Sequence, residues 1–432
     1  TFVFAWTDEW HRGGHEIEDW DFGLTTRDRK PKPALAAVTE AFDNVPFPRD
    51  LQWPKISVVV CSYNGAATIE ETLSALTKLD YPNYEVIVVD DGSTDKTGDI
   101  ARRYEVSLIQ TENKGLSNAR NLGMEAATGE IIAYIDDDAY PDLDWLKFLA
   151  ASFMSSDHVG IGGPNIAPTG DGLAADAVAH APGGPVHVLL SDEVAEHIPG
   201  CNMAYRLEKL KAIGGFDWRF KVAGDDVDVC WRLQECGWTL GFSPAALVWH
   251  HRRGSIGAYW KQQKGYARAE ALLADKWPQK YNGAGHLAWS GRLYGKGIAD
   301  FFMNRQKIYH GTWGSSLFQS IYEPAGGVLL SLPLMPEWYF LLALLGGPLL
   351  ILGLLWPPLL WAVVPTSLLA VGATLIQAGV AATQQPLEPQ PLKRRTALRA
   401  SIVWLHLSQP LARLIGRIRH GVAPWQWANW LT

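Results

Sequence analysis

The chain has 432 residues and a net charge of −7, enough for one full domain and a second region and too acidic for a nucleic-acid-binding surface. Its four cysteines, Cys61, Cys201, Cys230 and Cys236, follow neither a metal-ligand spacing nor a paired framework, which excludes a disulfide scaffold and fits a reducing compartment. The sequence opens at Thr1 without a signal-peptide pattern, so a fragment or processed form of a longer protein is expected.

Residues 1–45 differ in character from the rest of the chain. The run VFAW (Val3 to Trp6) reads as a strand leading into Thr7-Asp8-Glu9-Trp10, and Pro33 to Phe42 reads as a closing helix. Together with EDWDFGL (Glu18 to Leu24) and RKPKPAL (Arg29 to Leu35), these stretches resemble the last strand and helix of a β-galactosidase-like glycoside hydrolase barrel. A glycosidase needs two carboxylates flanking the scissile bond on a complete scaffold, which Asp8 and Glu9 alone do not supply. The segment reads as the stub of an upstream domain, and residues 46–54 as a Pro-rich linker.

From Lys55 strands and helices alternate. Ile56 to Cys61, Tyr84 to Val89, Val106 to Gln110 and Ile131 to Ile135 read as strands, separated by helices over Thr68 to Leu79, Thr94 to Tyr104 and Leu116 to Ala127. Such alternation implies right-handed crossovers and a mostly parallel α/β sheet. Two of these strands run directly into acid, at Asp90-Asp91 and at Asp136-Asp137-Asp138, and a third cluster stands at Asp225-Asp226-Val227-Asp228. Open sheets bind ligands beyond the carboxyl ends of their strands. Crowded carboxylates repel one another unless a hard divalent cation joins them. The pattern predicts a metal-assisted site for something as anionic as a nucleotide diphosphate.

Around that crevice, Tyr63 is placed to stack on a base, or else is a packed turn residue. Ser93 or Thr94 is expected to cap the next helix, and one of Asp90 and Asp91 to accept from a base N–H or a ribose hydroxyl, or else both acids only favour that helix N-terminus. Lys114 and Arg120 lie in a stretch that opens a helix, where they either meet a diphosphate or face solvent. Asp228 is expected to serve only the helix start.

The ensemble resembles family 2 glycosyltransferases of the GT-A fold. The matching stretches are ISVVVCSYN (Ile56 to Asn64), VIVVDDGSTD (Val86 to Asp95), NKGLSNARN (Asn113 to Asn121), GEIIAYIDDDAYPD (Gly129 to Asp142), GCNMAYR (Gly200 to Arg206), GGFD (Gly214 to Asp217) and GDDVDVCWRL (Gly224 to Leu233). Residue by residue, the resemblance implies that Tyr63 and Asp91 surround the nucleoside. It makes Asp136 and Asp138 the outer acids of a D-x-D motif, with Asp138 the direct ligand of Mg2+ or Mn2+ and Asp136 a ribose or metal neighbour. Asp226 matches the general base of an inverting transfer. Asp225 stands where many relatives carry Glu, and His250, with His251 as the alternative, would complete the metal site. Gln262 and Gln263 fall where processive polysaccharide synthases carry Q-x-x-R-W, but no Arg-Trp pair stands after them, so one or a few sugars per acceptor are expected.

No charged residue occurs from Trp338 to Leu387, a stretch of 50 positions. A bilayer crossing takes roughly 20 apolar residues, so the run predicts two spans, Trp338 to Trp356 and Leu359 to Thr383, turning at Trp356-Pro357-Pro358. Basic residues flank both ends, Arg292, Lys296, Arg305 and Lys307 before and Lys393, Arg394, Arg395 and Arg399 after, while the turn carries none; both flanks are therefore expected in the cytoplasm. Thr396 to Arg419 reads as an interfacial helix, and Pro424-Trp425-Gln426-Trp427 as headgroup anchors. The expected order is stub (1–45), linker (46–54), GT-A domain (55–281), connector (282–337), transmembrane hairpin (338–383) and cytoplasmic amphipathic tail (384–432).

The chain is thus expected to be a multi-pass enzyme of the cell inner membrane with a cytoplasmic catalytic domain. It would pass a sugar from a nucleotide-sugar donor, a UDP-sugar by preference, to a glycan or lipid-linked acceptor. The competing expectations are a nucleotidyltransferase and a membrane scaffold with a degenerate transferase domain. A nucleotidyltransferase should carry a Gly-rich basic loop after its first strand, and Ser62 to Thr68 contains no Lys or Arg.

Overall fold

The structure, a computed structural model, describes residues 3–45, 47–48, 50–281, 287, 289–290, 292–293, 333, 336–384 and 391–420. It divides into two units, 1–53 and 54–432. In the first, β1 (Ala5–Thr7) pairs in parallel with β4 (Gly23–Thr25), and β2 (His11–Arg12) forms a hairpin with β3 (His15–Glu16). The helix α1 (Pro33–Asp43) comes next, with proline in its first turn. Asp8 is buried there, accepting from Gly23 N–H at 2.8 Å and pairing with Lys32 Nζ at 3.0 Å. It holds this unit together. Phe4, Trp10, Trp20 and Phe22 stack into an aromatic cluster in which Phe4, Trp20 and Phe22 remain exposed.

The second unit is built on the β-branched runs seen in the sequence. β5 (Ile56–Ser62), β6 (Tyr84–Asp90), β7 (Ser107–Gln110) and β8 (Ile131–Asp136) lie parallel in the order β8-β5-β6-β7. They are linked by α2 (Ile69–Leu76), α3 (Thr97–Ala101) and α4 (Leu116–Ala126). Ile56, Val58, Val59 and Val60 are fully buried, each contributing about 1.5–3 kcal/mol relative to an exposed side chain. Gly123 in α4 lets that helix sit on β5, since a Cβ there would lie 2.4 Å from a methyl of Val59.

Past β8 the parallel pattern ends. After β9 (Ala139–Pro141) and α5 (Trp145–Met154) come β10 (Gly160–Gly162), β11 (Asn165–Ile166), α6 (Leu173–Ala179), β12 (Val188–Leu189), β13 (Val194–His197) and β14 (Asn202–Arg206). The chain continues through α7 (Leu207–Ala212), α8 (Asp225–Glu235), β15 (Leu240–Phe242), β16 (Val248–His250), α9 (Ile256–Lys276) and β17 (Arg292–Leu293). β14 inserts antiparallel between β8 and β10, and the full sheet of ten strands runs β17-β12-β13-β15-β10-β14-β8-β5-β6-β7. The expectation of a mostly parallel sheet is corrected: the sheet is mixed, because β14 pairs antiparallel with both β8 and β10, and β13 pairs antiparallel with β12 and β15, while β10 and β15 are parallel. A smaller sheet, β11-β16-β9, stands at its edge.

At the carboxyl end, α10 (Pro336–Leu341) passes through a π turn (Leu342–Gly346) into α11 (Gly347–Leu355), and α12 (Leu360–Gln384) returns. Trp338–Leu355 and Pro357–Val380 are long and apolar enough to cross a membrane. Trp338 Nε1 donates to Thr374 Oγ1 at 3.0 Å, so the two run antiparallel.

The helix expected over Thr396 to Arg419 is present as a 28-residue helix, α13 (Leu392–Arg419), which packs against α9, α6 and α12. Leu398, Ile402 and Leu405 join Ala177, Val178, Tyr259 and Ala382 in one buried cluster. Gly416 meets α9 backbone to backbone, where a Cβ would lie 2.8 Å from Lys264 O. Tyr339 at the start of the first span donates to Leu407 O at 2.8 Å, and Arg394 pairs with Asp176 at 3.0 Å. The second unit thus extends beyond 281 and takes in α13. Lys296, Arg305, Lys307 and the residues Pro424 to Trp427 lie outside the described residues.

Candidate active site

The register of the central strands aligns their carboxyl ends, pairing Cys61 with Asp136 and Ser62 with Asp90. Asp136 ends β8, and the chain turns through Asp137 and Asp138 into β9. Antiparallel pairing of β9 with β16 sets His250 opposite Ala139, which brings a histidine from far along the chain to the acidic turn. His250 Nε2 lies 3.1 Å from Asp138 Oδ1 and 4.0 Å from Asp136 Oδ2. One ligand atom from each of the three falls within 4.8 Å of the others. Two carboxylate oxygens and an imidazole nitrogen suit a Mg2+ or Mn2+ ion that draws its remaining ligands from a diphosphate and water. The donor set fits such an ion.

Asp137 is turned away from that cluster. Ser62 Oγ donates to its carboxylate, and Thr72 Oγ1 donates to its carbonyl at 3.0 Å. Burial and the neighbouring Asp138 push its carboxyl up to about 7. Against burial, His250 and Arg253 hold Asp138 down to about 2. Gly65 is required beside this turn, because a Cβ would lie 2.1 Å from Asp137 Oδ2. His251 belongs elsewhere, since its two nitrogens meet Asp171 at 2.7 Å and Glu71 at 2.9 Å.

Helix α8 starts after Gly224, whose φ of 87° is the left-handed conformation that glycine takes without cost. Its first turn holds Asp225, Asp226 and Asp228 on different sides. Asp225 is buried against the equally buried Arg120 guanidinium. Burial and Asp226 push its carboxyl up to about 6, although Arg120 opposes the rise. Arg120 reaches on to Asp136 Oδ1 at 3.4 Å and to Gly200 O at 3.3 Å. Contrary to expectation, it neither faces solvent nor stands free for a diphosphate. It is the buried cation between two groups of acids.

Asp226 points into the cavity. Its Oδ2 accepts from Gly200 N–H at 3.0 Å and its Oδ1 from Val227 N–H at 2.9 Å. His197 Nε2 lies 3.5 Å from Oδ2. Against burial, His197, Arg120 and the Gly200 N–H hold this carboxyl at about 2. Asp228 does more than serve the helix start. It is buried, accepts from Trp277 Nε1 at 2.9 Å, and pairs with Arg232 at 2.8 Å and Lys276 at 2.6 Å, which ties α8 to the end of α9.

The nucleoside side departs further from expectation. Both acids at the end of β6 are committed to the protein: Asp90 accepts from Ser93 N–H at 2.9 Å and Gln110 Nε2 at 3.0 Å. Asp91, also buried, accepts from the N–H groups of Lys114 at 2.9 Å and Gly115 at 2.8 Å. Lys114 contributes its backbone there, and its side chain is exposed. Tyr63 is 53 % exposed, a ring with a free face at the end of β5.

A cavity of about 1070 Å3 gathers Asp136, His250, Arg120, Asp225, Asp226 and His197. Its lining also takes in Lys264 and Arg268 of α9, and Arg413, Arg417 and Arg419 of α13. Sequence reasoning misses His197, Arg253 and these α13 arginines. Arg253 is legible from its place beside His250, and it donates to Asp138 Oδ2 at 3.0 Å.

A family model described as glycosyl transferase family 2 matches residues 57–214. Over 235 residues the chain is 28% identical to the poly-β-1,6-N-acetyl-D-glucosamine synthase of Staphylococcus epidermidis, covering 52% of this chain and 57% of that protein. It is 32% identical to the glycosyltransferase AglE of Haloferax volcanii over 212 residues, 46% of this chain and 68% of that one. Among solved structures it is similar to a mannosyltransferase from Pyrobaculum calidifontis in complex with GDP-Man and Mn2+. That similarity has 23% identity and a TM-score of 0.41, and covers 57% of this chain and 72% of the other. The chain spans a little over half the length of the first curated relatives it matches, 57% and 53%.

Proposed function

The chain belongs to glycosyl transferase family 2, and from that premise we propose that it transfers a sugar, with inversion, from a nucleotide-sugar donor to a hydroxyl acceptor. The observation that carries this reading is the pairing of the Asp136–Asp138–His250 cluster with a separate, protein-held carboxylate, Asp226, in the same crevice. Tyr63 offers its exposed ring to the donor base, and Asp91 acts indirectly by holding the loop before α4. Lys114 stays on the rim. Bound at Asp136, Asp138 and His250, Mg2+ or Mn2+ would neutralise the charge that develops on the departing diphosphate.

Asp226 takes the proton of the acceptor hydroxyl as that oxygen attacks the anomeric carbon from the side opposite the diphosphate. The two N–H groups on its carboxylate fix its orientation beforehand, so no reorganisation is needed at the moment of attack. Asp225 and Arg120 form the buried support that joins the base to Asp136. A charged buried pair of this kind costs desolvation, and removal of either partner strands the other.

The acceptor is a glycan or lipid-linked molecule, and the enzyme a multi-pass protein of the cell inner membrane with its catalytic unit on the cytoplasmic side. Supporting this, α13 comes after the second apolar helix and lines the cavity with arginines, which suits an anionic acceptor arriving from the bilayer surface. The absence of an Arg-Trp pair after Gln262 and Gln263 supports addition of one or a few sugars.

The test is release of nucleotide diphosphate from a panel of UDP-glucose, UDP-N-acetylglucosamine and GDP-mannose, with Mn2+ and with excess EDTA. Turnover of one donor that EDTA abolishes is expected. Full turnover in EDTA would remove the metal assignment, and no turnover of any donor under either condition would remove the transferase reading.

A further inference from the structure

Resting on the transfer just proposed, the geometry points to a further positioning residue: His197 completes the base, receiving on its Nε2 the proton that Asp226 takes from the acceptor. His197 closes β13, where its Nδ1 lies 3.1 Å from Val186 O. A carbonyl only accepts, so Nδ1 carries the hydrogen and the tautomer is fixed by the backbone. The other nitrogen is then the basic one. Nε2 is buried, has no hydrogen-bond partner among the described residues, and lies 3.5 Å from Asp226 Oδ2.

That distance is slightly too long for a hydrogen bond, and it closes by a few tenths of an ångström when a proton sits between the two atoms. At rest a lone pair faces a carboxylate oxygen, an arrangement that one added proton turns into an ion pair. The surroundings suit that role. Among the described residues, Asp226 from α8 and His187 from the residues before β12 are the titratable groups that interact with His197. His187 is fully buried, and burial together with His197 holds it down to about 3, so it stays neutral and adds no competing charge. Trp289 covers the ring at 5.4 Å. Asp226 is anchored by the N–H groups of Gly200 and Val227, so only the proton moves.

The step balances. The acceptor oxygen bonds to the anomeric carbon while the carbon–oxygen bond to the diphosphate breaks, and the diphosphate leaves with that electron pair. The hydroxyl proton passes to Asp226 Oδ2 and then to His197 Nε2, leaving carboxylate and imidazolium, which returns its proton to water before the next turnover. A carboxyl held as low as that of Asp226 keeps a proton poorly. Nε2 of His197, 3.5 Å away and left basic by the backbone contact at Nδ1, is placed to take it.

Two measurements on the full chain test this. In the first, donor turnover from the panel above is measured for His197→Gln and Asp226→Asn. His197→Gln is expected to lower kcat by about 10–100-fold, within the range of one acid–base contribution, with donor KM within twofold and the acid limb of the kcat/KM profile moved to lower pH. Loss in Asp226→Asn with parent-level kcat in His197→Gln overturns the relay alone. Parent-level activity in Asp226→Asn overturns the relay and the base assignment together.

The second measurement needs no substrate and no folded His197 variant. Imidazole nitrogen resonances of the 12 histidines are titrated in the parent and in Asp226→Asn. One ring protonated at Nδ1 throughout, whose Nε2 midpoint falls by at least about one pH unit on losing the Asp226 charge, is expected. No ring that shifts overturns the coupling, whatever the activity.

Discussion

At the scale of single residues, the site separates carboxylates of one type into different jobs by their partners. Among the described residues Asp226 accepts from two N–H groups and faces His197, with Arg120 acting on it without a direct contact, so it can change protonation without losing a bonded guanidinium or ammonium partner. Asp226→Asn should therefore lower kcat and kcat/KM together by about 10²–10⁴-fold while nucleotide diphosphate binding with Mn2+ stays near the parent value, as calorimetry would show. Asp225 differs because it is buried against Arg120. Arg120→Met should cost about 3–5 kcal/mol in chemical unfolding, since it leaves two acids without their cation. The double variant Arg120→Met/Asp225→Leu should recover part of that loss. The D-x-D acids and Asp226 are legible because motif and strand end coincide. The role of Asp91 is not, because its partners, the N–H groups of Lys114 and Gly115, arrive from a loop beyond the next strand. His197 is illegible for the same reason, being one histidine in a short strand whose meaning depends on α8.

Among elements, β5 and β6 show how a polar group can serve a buried sheet. Glu85 accepts from Ser57 Oγ at 2.6 Å and Thr128 N–H at 2.9 Å, and pairs with Lys55 at 3.2 Å. Against burial, these partners hold its carboxyl down to about 2. A folded value below the ordinary one, about 4.3, means that the stabilisation is fully present above that pH and is lost as pH falls through about 2. Glu85→Gln should cost about 1–3 kcal/mol at neutral pH and flatten the fall in urea midpoint between roughly pH 5 and pH 2 seen in the parent. The strands themselves are readable from their β-branched runs. Their mixed order is not, because β10 to β15 are two to five residues each and carry no period long enough to set direction.

For the whole molecule, the amphipathic pattern of α13 could not tell lipid from protein as the medium for its apolar face. Leu398, Ile402 and Leu405 go into the protein, whereas Trp404, Leu411 and Ile418 stay exposed on the other side. The close approach of Gly416 to α9 is the simplest place to test the docking. Gly416→Val should cost about 1–3 kcal/mol and raise the KM for acceptor more than for donor, because it pushes Arg413 and Arg417 outward. Labelling of introduced cysteines should find α13 and the catalytic unit on one side of the membrane.

The return of α13 also changes how a water-soluble version would have to be designed. Cutting the chain after Tyr281, where the sequence places the end of the catalytic domain, would peel away a wall of the cavity and uncover Val178, Tyr259 and Ala267 to solvent. Excising only the hairpin, so that a flexible bridge carries the chain from the residues before Trp338 to Pro391, keeps that wall. The bridged version should stay monodisperse without detergent, and the simple truncation should aggregate.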